Sequence, residues 1–303
     1  MIHAGERHGT PTPDPSTVEL RHRKELARRR RRFVLGEVAT YLVLIAGSIL
    51  ALAPLFWIGL TSLKSRVEAF TFPPIWVFTP KFDAYVTLFT QKNMGAYLWN
   101  STVISVSATA LSMLFGVAAA YAMARFRFPA KENIAFWILS TRMMPPVARV
   151  IPIFLLAQHL RLLDTHIALV LLYTTMQLPF VVWMMWGFFK EIPKEAEEAA
   201  MVDGDPWYQA IRKVTLPLAT PAIVATAIFV LILSWNEFAF ALILTSRDAR
   251  TLPASVLTFL QEGSVLWHEV GAAAIIISLP IILFASLVQK HLVRGLTMGM
   301  LKG

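Results

Sequence analysis

The chain has no cysteine among its 303 residues, so neither a disulfide nor a cysteine-ligated metal site is open to it. Charge is also scarce. Asp, Glu, Lys and Arg make up 16% of the residues and hydrophobic types 56%, against about 25% charged in an ordinary soluble domain. That leaves too little polar surface to cover a soluble core, so the bilayer is the expected solvent. No alternating apolar–polar pattern marks a membrane strand. No Gly-Lys pair occurs anywhere, which excludes a Gly-x-x-x-x-Gly-Lys-Ser/Thr phosphate loop and with it ATP hydrolysis by this chain. No Ser-His-Asp set, His-Glu-x-x-His run or catalytic carboxylate pair stands out, so the chain does not read as an enzyme. His159, His166 and His268 fall near the ends of apolar runs without partners at metal-ligand spacing. They read as interfacial histidines, and no metal or cofactor of the chain's own is expected.

Positive charge, by contrast, is plentiful and unevenly placed. Nine of the 28 Lys and Arg lie in the first 32 residues, five of them as the run Arg28 to Arg32. A basic arm before an apolar run fits a positive-inside anchor on anionic lipid rather than a nucleic-acid partner. Residues 1–32, rich in Pro and Arg, are expected to be a disordered cytoplasmic segment. The apolar run that follows is too long for the core of a cleaved signal peptide.

A transmembrane domain is expected over 33–303. Six apolar stretches, at about 34–60, 99–123, 134–157, 167–189, 217–244 and 269–289, each approach the ~20 residues that span a bilayer as a helix. The N-terminal segment, the connections at 124–133 and 190–216, and the tail 290–303 together hold 19 Lys and Arg, while the intervening connections hold seven. By this asymmetry both termini and the 190–216 loop are expected in the cytoplasm, with the chain in the plasma or inner membrane.

The 190–216 loop predicts two short helices around a turn. Pro193 suits a first helical turn, and Glu195, Glu197 and Glu198 follow where the helix dipole favours acids. Gly204 can take a left-handed conformation that ends the helix. Asp205 and Pro206 suit the start of a second helix, which carries Trp207, Tyr208, Ile211 and Val214 and is expected to stop before Pro217. The chemistry leaves two readings: a partner groove closing on the small Ala199–Ala200 surface beside Glu198, or an amphipathic loop resting on lipid headgroups.

Glu198-Ala199-Ala200-Met201-Val202-Asp203-Gly204, followed by Val214-Thr215-Leu216-Pro217, resembles the EAA loop of ABC importer permeases. Thr141-Arg142-Met143-Met144-Pro145-Pro146, Trp235-Asn236-Glu237-Phe238, Pro73-Pro74-Ile75-Trp76 with Asp83-Ala84-Tyr85, and the tail from Gly295 to Gly303 are similar to the carbohydrate-uptake branch, the six-span maltose-type permease in particular. The resemblance covers nearly everything from residue 34 onward. It implies an all-α integral membrane protein of the type I ABC importer permease fold. It also implies coupling to a separate ATPase dimer through Glu198, Ala199, Ala200, Asp203, Gly204, Leu216 and Pro217. A tail with Gly295, Thr297, Gly299, Lys302 and Gly303 would reach that ATPase, although Met300-Leu301-Lys302-Gly303 departs slightly from the usual ending. The implied partners are a homologous second permease, the ATPase pair that binds ATP and Mg, an extracytoplasmic solute-binding protein touching the 61–98 and 245–268 loops, and membrane lipid.

Polar residues inside the apolar stretches form the candidate substrate path: Trp235, Asn236, Glu237, Arg142 and Arg149. Trp can stack on a sugar ring while Asn bonds a hydroxyl; equally, Asn236 and Glu237 could tie helices together. Arg142 and Arg149 are seven apart and share one helix face, with Pro145 and Pro146 breaking the ladder between them. Either they face a wet cavity, one of them paired with Glu237, or one snorkels to an interface. The expected function is alternating-access import of a sugar, polyol or related solute, driven by the partner ATPase. The rival from another class is a secondary transporter or channel using Glu237 as its ion site.

Overall fold

The computed structural model describes the backbone of residues 15–261 and 265–300 and the side chains of 36–258 and 265–287. Its helices are α1 (Pro15–Ser62), α2 (Arg66–Phe70), α3 (Asp83–Thr90), α4 (Met94–Arg125), α5 (Lys131–Ser140), α6 (Pro146–His159), α7 (His166–Glu191), α8 (Lys194–Val202), α9 (Trp207–Ala210), α10 (Leu216–Trp235), α11 (Ala239–Leu244), α12 (Leu252–Gln261) and α13 (Trp267–Met300). A π-helical turn, Ile211–Thr215, joins α9 to α10. Among the described residues there is no strand.

Among the described residues, five helical segments are long and apolar enough to cross a membrane: Gly36–Ser62, Met94–Arg125, His166–Glu191, Trp207–Trp235 and Trp267–Leu287. Residues Met1–Trp57 and Ile58–Gly303 form separate compact units. In the first, the side chains of 36–57 are exposed throughout, as suits a helix surrounded by lipid. Helix α1 begins at Pro15, so the expectation of disorder to residue 32 differs from the structure. Arg, Lys, Glu and Leu are good helix formers, and Pro15 sits at a first-turn position that tolerates it.

The second unit is built on the pairing of α4 and α7. On α4 a stripe of small residues (Ser101, Ser105, Ala108, Ser112, Gly116 and Ala120) is buried at intervals of three and four, the spacing that lets membrane helices approach closely. At Gly116 the approach is tightest: a Cβ there would lie 2.6 Å from Val181 Cγ1 of α7. Val181, Val182, Met185 and Phe189 of α7 form the centre of this core, with Ala219, Ala222 and Val230 of α10 packed on it. Ser112 Oγ donates to the Thr174 carbonyl across the interface at 3.3 Å. A second close approach brings α13 onto the last turn of α1, where a Cβ on Gly271 would meet the Ile58 carbonyl oxygen at 3.1 Å.

Three sequence expectations are corrected. The span expected at 134–157 is two helices, α5 and α6, interrupted at residues 141–145. Pro145 and Pro146 remove two donors, and residue 145 is held extended ahead of a proline. The span expected at 217–244 is likewise α10 and then α11, broken at residues 236–238. Finally, the helix after Pro206 does not stop before Pro217 but runs on through the π turn into α10, in which Pro217 is an early residue. The Leu216 N–H bonds the Ile211 carbonyl five residues back. This wider turn makes room for the Pro217 ring, which would clash with a tighter α-helical ladder.

Candidate functional site

The helices of the 190–216 loop lie at one end of the bundle, against the C-terminal ends of α4 and α7 and the start of α10. Helix α8 ends at Val202 with Asp203 as its cap, and Gly204 takes φ +99°, the left-handed backbone that its sequence position anticipated. Glu198, Ala199, Asp203 and Gly204 are exposed, Ala200 and Leu216 half-buried and Pro217 exposed. Asp205 does not cap the second helix. Its carboxylate meets Lys213 Nζ at 2.5 Å, because Pro206 occupies the cap position.

The residue of α8 that is buried is Glu197. Arg125 Nε donates to Glu197 Oε1 at 2.8 Å and Nη2 approaches it at 2.7 Å. Thr215 Oγ1 donates to the same oxygen at 2.7 Å, and the Tyr121 hydroxyl to Oε2 at 3.0 Å. The same Arg125 donates to the Phe189 carbonyl at 2.8 Å and the Ile192 carbonyl at 3.1 Å, acceptors at the end of α7 that have no helical partner. Burial pushes the Glu197 carboxyl up, but the bonds from Arg125, Thr215 and Tyr121 outweigh it and hold it below its ordinary value. Between this network and the loop lies a cleft of about 430 Å³ lined by Tyr121, Lys194, Glu198, Met201 and Trp207. Sequence reasoning missed Tyr121, Arg125, Glu197 and Thr215 as a group. Arg125 entered only as a topology-setting charge, and three carboxylates on one short helix gave no sign of which faced inward.

The two helix breaks bring two of the candidate path residues, Arg142 and Glu237, onto one face of α7, where Tyr173, Gln177 and Phe180 are spaced by four and three. Arg142 Nη2 reaches Gln177 Oε1 at 3.5 Å, and its guanidinium lies 5.3 Å from the Phe180 ring centroid. The Arg149 guanidinium lies 5.9 Å from the Phe240 ring, and its buried Nε has no bond within the described residues. Glu237 pairs with neither arginine. Its Oε2 accepts from the Tyr173 hydroxyl at 2.8 Å, and its two oxygens accept the Phe240 and Ala241 N–H groups at 3.0 and 3.1 Å. The carboxylate thus satisfies the first donors of α11 where the span breaks. Trp235 is buried, donates Nε1 to the Ile277 carbonyl at 3.2 Å and lies edge-on to Phe284; in this chain it packs rather than lining an opening. Asn236 is exposed and bonds back to the Ile232 carbonyl at 2.9 Å.

At the opposite end, Asp164 organises the loop after α11. Its carboxylate accepts the N–H groups of Ser246, Arg247, Asp248 and Ala249 and the Ser246 hydroxyl, at 2.8–3.1 Å. Asn100 Nδ2 holds the Asp248 and Arg250 carbonyls, and its Oδ1 meets His166 Nε2 at 2.8 Å. His166 is therefore tied to the α4 start. No group of three or more His, Cys, Asp or Glu that could hold a metal occurs among the described residues. Of the tail positions, Gly295, Thr297 and Gly299 lie on the α13 backbone with their side chains outside the described residues, and Lys302 and Gly303 lie wholly outside them.

Residues 112–298 match the family of binding-protein-dependent transport system inner membrane components. The trehalose transport system permease protein SugB of Mycobacterium tuberculosis (strain CDC 1551 / Oshkosh) is 38% identical over 260 residues, 84% of this chain and 93% of the relative. The trehalose/maltose transport system permease protein MalG of Thermococcus litoralis is 33% identical over 275 residues, 88% and 99% of the two chains. The fold is also that of a chain in a bacterial ABC transporter that imports the acidic polysaccharide alginate, with a TM-score of 0.70, 23% identity, and 93% and 99% of the two chains covered. With its long apolar helices and its loop at the α4, α7 and α10 ends, this chain belongs to the binding-protein-dependent inner membrane components, the multi-pass permease subunits of ABC importers, which do not themselves hydrolyse ATP.

Proposed function

We propose that the chain is the permease subunit of an importer for a sugar, polyol or related carbohydrate, driven through α8 by a separate ATPase. The observation that carries the coupling role is the exposure of Glu198, Ala199, Asp203 and Gly204 on a short helix seated against the ends of three long ones. Two small residues beside a carboxylate make a surface that a groove bearing an Arg can close on. The carbohydrate class is supported by the names of the relatives, which transport trehalose, or trehalose and maltose.

In this reading the α8 end and both termini face the cytoplasm, in line with the Lys and Arg asymmetry. ATP and Mg are bound by the ATPase pair, which the tail through Gly295, Thr297, Gly299, Lys302 and Gly303 also reaches. A second, homologous permease completes the passage. The loops at 61–98 and 245–268 present the outer face to a solute-binding protein. ATP-driven closure pulls α8 and turns the passage outward, and hydrolysis resets it. The path in this chain runs past Arg142, Arg149 and Asn236, with Trp235 and Glu237 fixing the broken helices around it.

Uptake of radiolabelled trehalose, maltose and mannitol by cells with and without the gene tests the reading. Loss of ATP-dependent accumulation of one of them in the deletion strain is expected. Uptake that survives ATP depletion and stops when the ion gradient is collapsed would contradict it.

A further inference from the structure

We propose that the Arg125–Glu197 pair is the joint through which movement of α8 reaches the membrane-spanning helices, an inference that rests on the docking role proposed for α8. Helix α8 is nine residues long, and Glu197 is its buried residue. Its other inward positions, Ala196 and Ala200, are half-buried alanines, and a cleft of about 430 Å³ lies beneath it. A helix held this way has little apolar packing through which to push on its neighbours. Among the described residues, the side-chain hydrogen bonds that tie it to the long helical segments are those of one carboxylate.

That carboxylate reaches three of the long helical segments. Tyr121 and Arg125 hold it from α4, Thr215 holds it from the π turn that opens α10, and Arg125 in turn holds the Phe189 and Ile192 carbonyls that close α7. Side chains of the pair are 7% and 8% exposed, so the bonds are largely shielded from water, and charge-assisted bonds of this length are directional. Displacement of α8 therefore strains α4, α7 and α10 together. Glu198, one residue on, stays exposed for the partner. Adjacent carboxylates on one helix point about 100° apart, so one acid faces out to receive the pull and the next faces in to pass it on. Glu197 and Arg125 are positioning residues in this scheme. Neither touches solute or nucleotide.

Hydrogen exchange by mass spectrometry on the purified complex, with and without ATP and vanadate, tests the joint without knowledge of the solute. Glu197→Gln keeps the shape and an acceptor while removing the charge, and Arg125 retains its two carbonyl acceptors. In wild type, nucleotide is expected to change exchange both in the loop (194–204) and at the helix ends (117–128, 185–193 and 207–217). In Glu197→Gln the ATPase still co-purifies and the loop still responds, but the response at the helix ends falls about tenfold, while Glu197→Asp, which keeps the charge, restores most of it. Helix ends that respond in Glu197→Gln as in wild type overturn the proposal. So does raised exchange in all four regions before nucleotide is added, in both the Gln and Asp variants, for then the pair only holds the fold. An ATPase missing from the wild-type preparation marks failure of the docking role itself, and shows before any nucleotide is added.

Discussion

Arg125 at the end of α4 meets Glu197 of α8 at 2.7 Å, with both side chains more than nine-tenths buried. A buried pair of this kind is sensitive to losing one member, because the other charge is left in a poor solvent. Arg125→Met or Glu197→Leu alone is expected to cost about 3–5 kcal/mol, and the double replacement far less. Thermal unfolding of the detergent-solubilised chain reads both, and equal losses in the singles and the double would refute the pairing.

The same carboxyl gives a pH dependence with a definite sign. Glu197 is held below its ordinary 4.5, so its contribution to stability is fully present above that value and is lost as pH falls through the lower, folded value. The unfolding midpoint of wild type is expected to drop more steeply below about pH 4.5 than that of Glu197→Gln. Parallel curves for the two chains would show that Glu197 does not titrate as the geometry requires.

Asp164 makes a local prediction at the opposite end. Burial works to raise its carboxyl, and the bonds from Ala249, Asp248 and Ser246 prevail and hold it well below the ordinary range. The clamp is therefore complete above the ordinary value and opens only in strong acid. Asp164→Ala removes the acceptor for four backbone donors and should favour opening of the 246–249 turn by about 2 kcal/mol. Exchange or proteolysis confined to that turn is the measurement, with the α4–α7 core unaffected.

Gly116 is required by contact rather than by backbone angle. A Cβ there would sit 2.6 Å from Val181 Cγ1 and 2.7 Å from Val181 Cβ, and both lie where α4 and α7 pack tightly. Gly116→Ala is expected to cost about 1–3 kcal/mol, and shrinking the neighbour with Val181→Ala in the same chain should recover part of it. A silent Gly116→Ala would mean that the two helices stand further apart.

Glu237 separates the importer from an ion-coupled carrier. Its oxygens are occupied by Tyr173 and by the Phe240 and Ala241 N–H groups, which is the work of a helix cap. Glu237→Gln, able to accept but not to ionise, is expected to keep ATP-driven uptake within about threefold of wild type, while Glu237→Leu loses the cap at a cost of about 1–2 kcal/mol. Loss of uptake in the Gln variant, with the fold intact, would favour proton or ion exchange at this site.

Much of the architecture was legible because lipid demands long apolar helices, and α4 and α7 fall close to the stretches read from composition. Gly204 was legible too, since a glycine after an alanine-rich acidic helix has one obvious use. The helix breaks were harder. Pro145 and Pro146 announced a disturbance at 141–145 but not two separate helices, and nothing in the string Trp235-Asn236-Glu237 distinguished a cap from a mid-span charge until the helix break left the Phe240 and Ala241 N–H groups for its carboxylate, with Tyr173, 64 residues away in sequence, beside them. Pro217 misled in the opposite sense, because a π turn absorbs a proline that a regular helix would not. Glu197 was hidden for a related reason: its role depends on Arg125 and Thr215, 72 and 18 residues away in sequence.

The central claim, that α8 is where an ATPase takes hold, is tested most directly by affinity purification of the tagged chain from its native membrane, wild type beside Glu198→Arg and Gly204→Pro, with mass spectrometry of what accompanies it. The account predicts a second permease with all three chains and an ATPase with wild type that is lost from both variants. A chain that arrives alone, or an ATPase retained equally by all three, would contradict it.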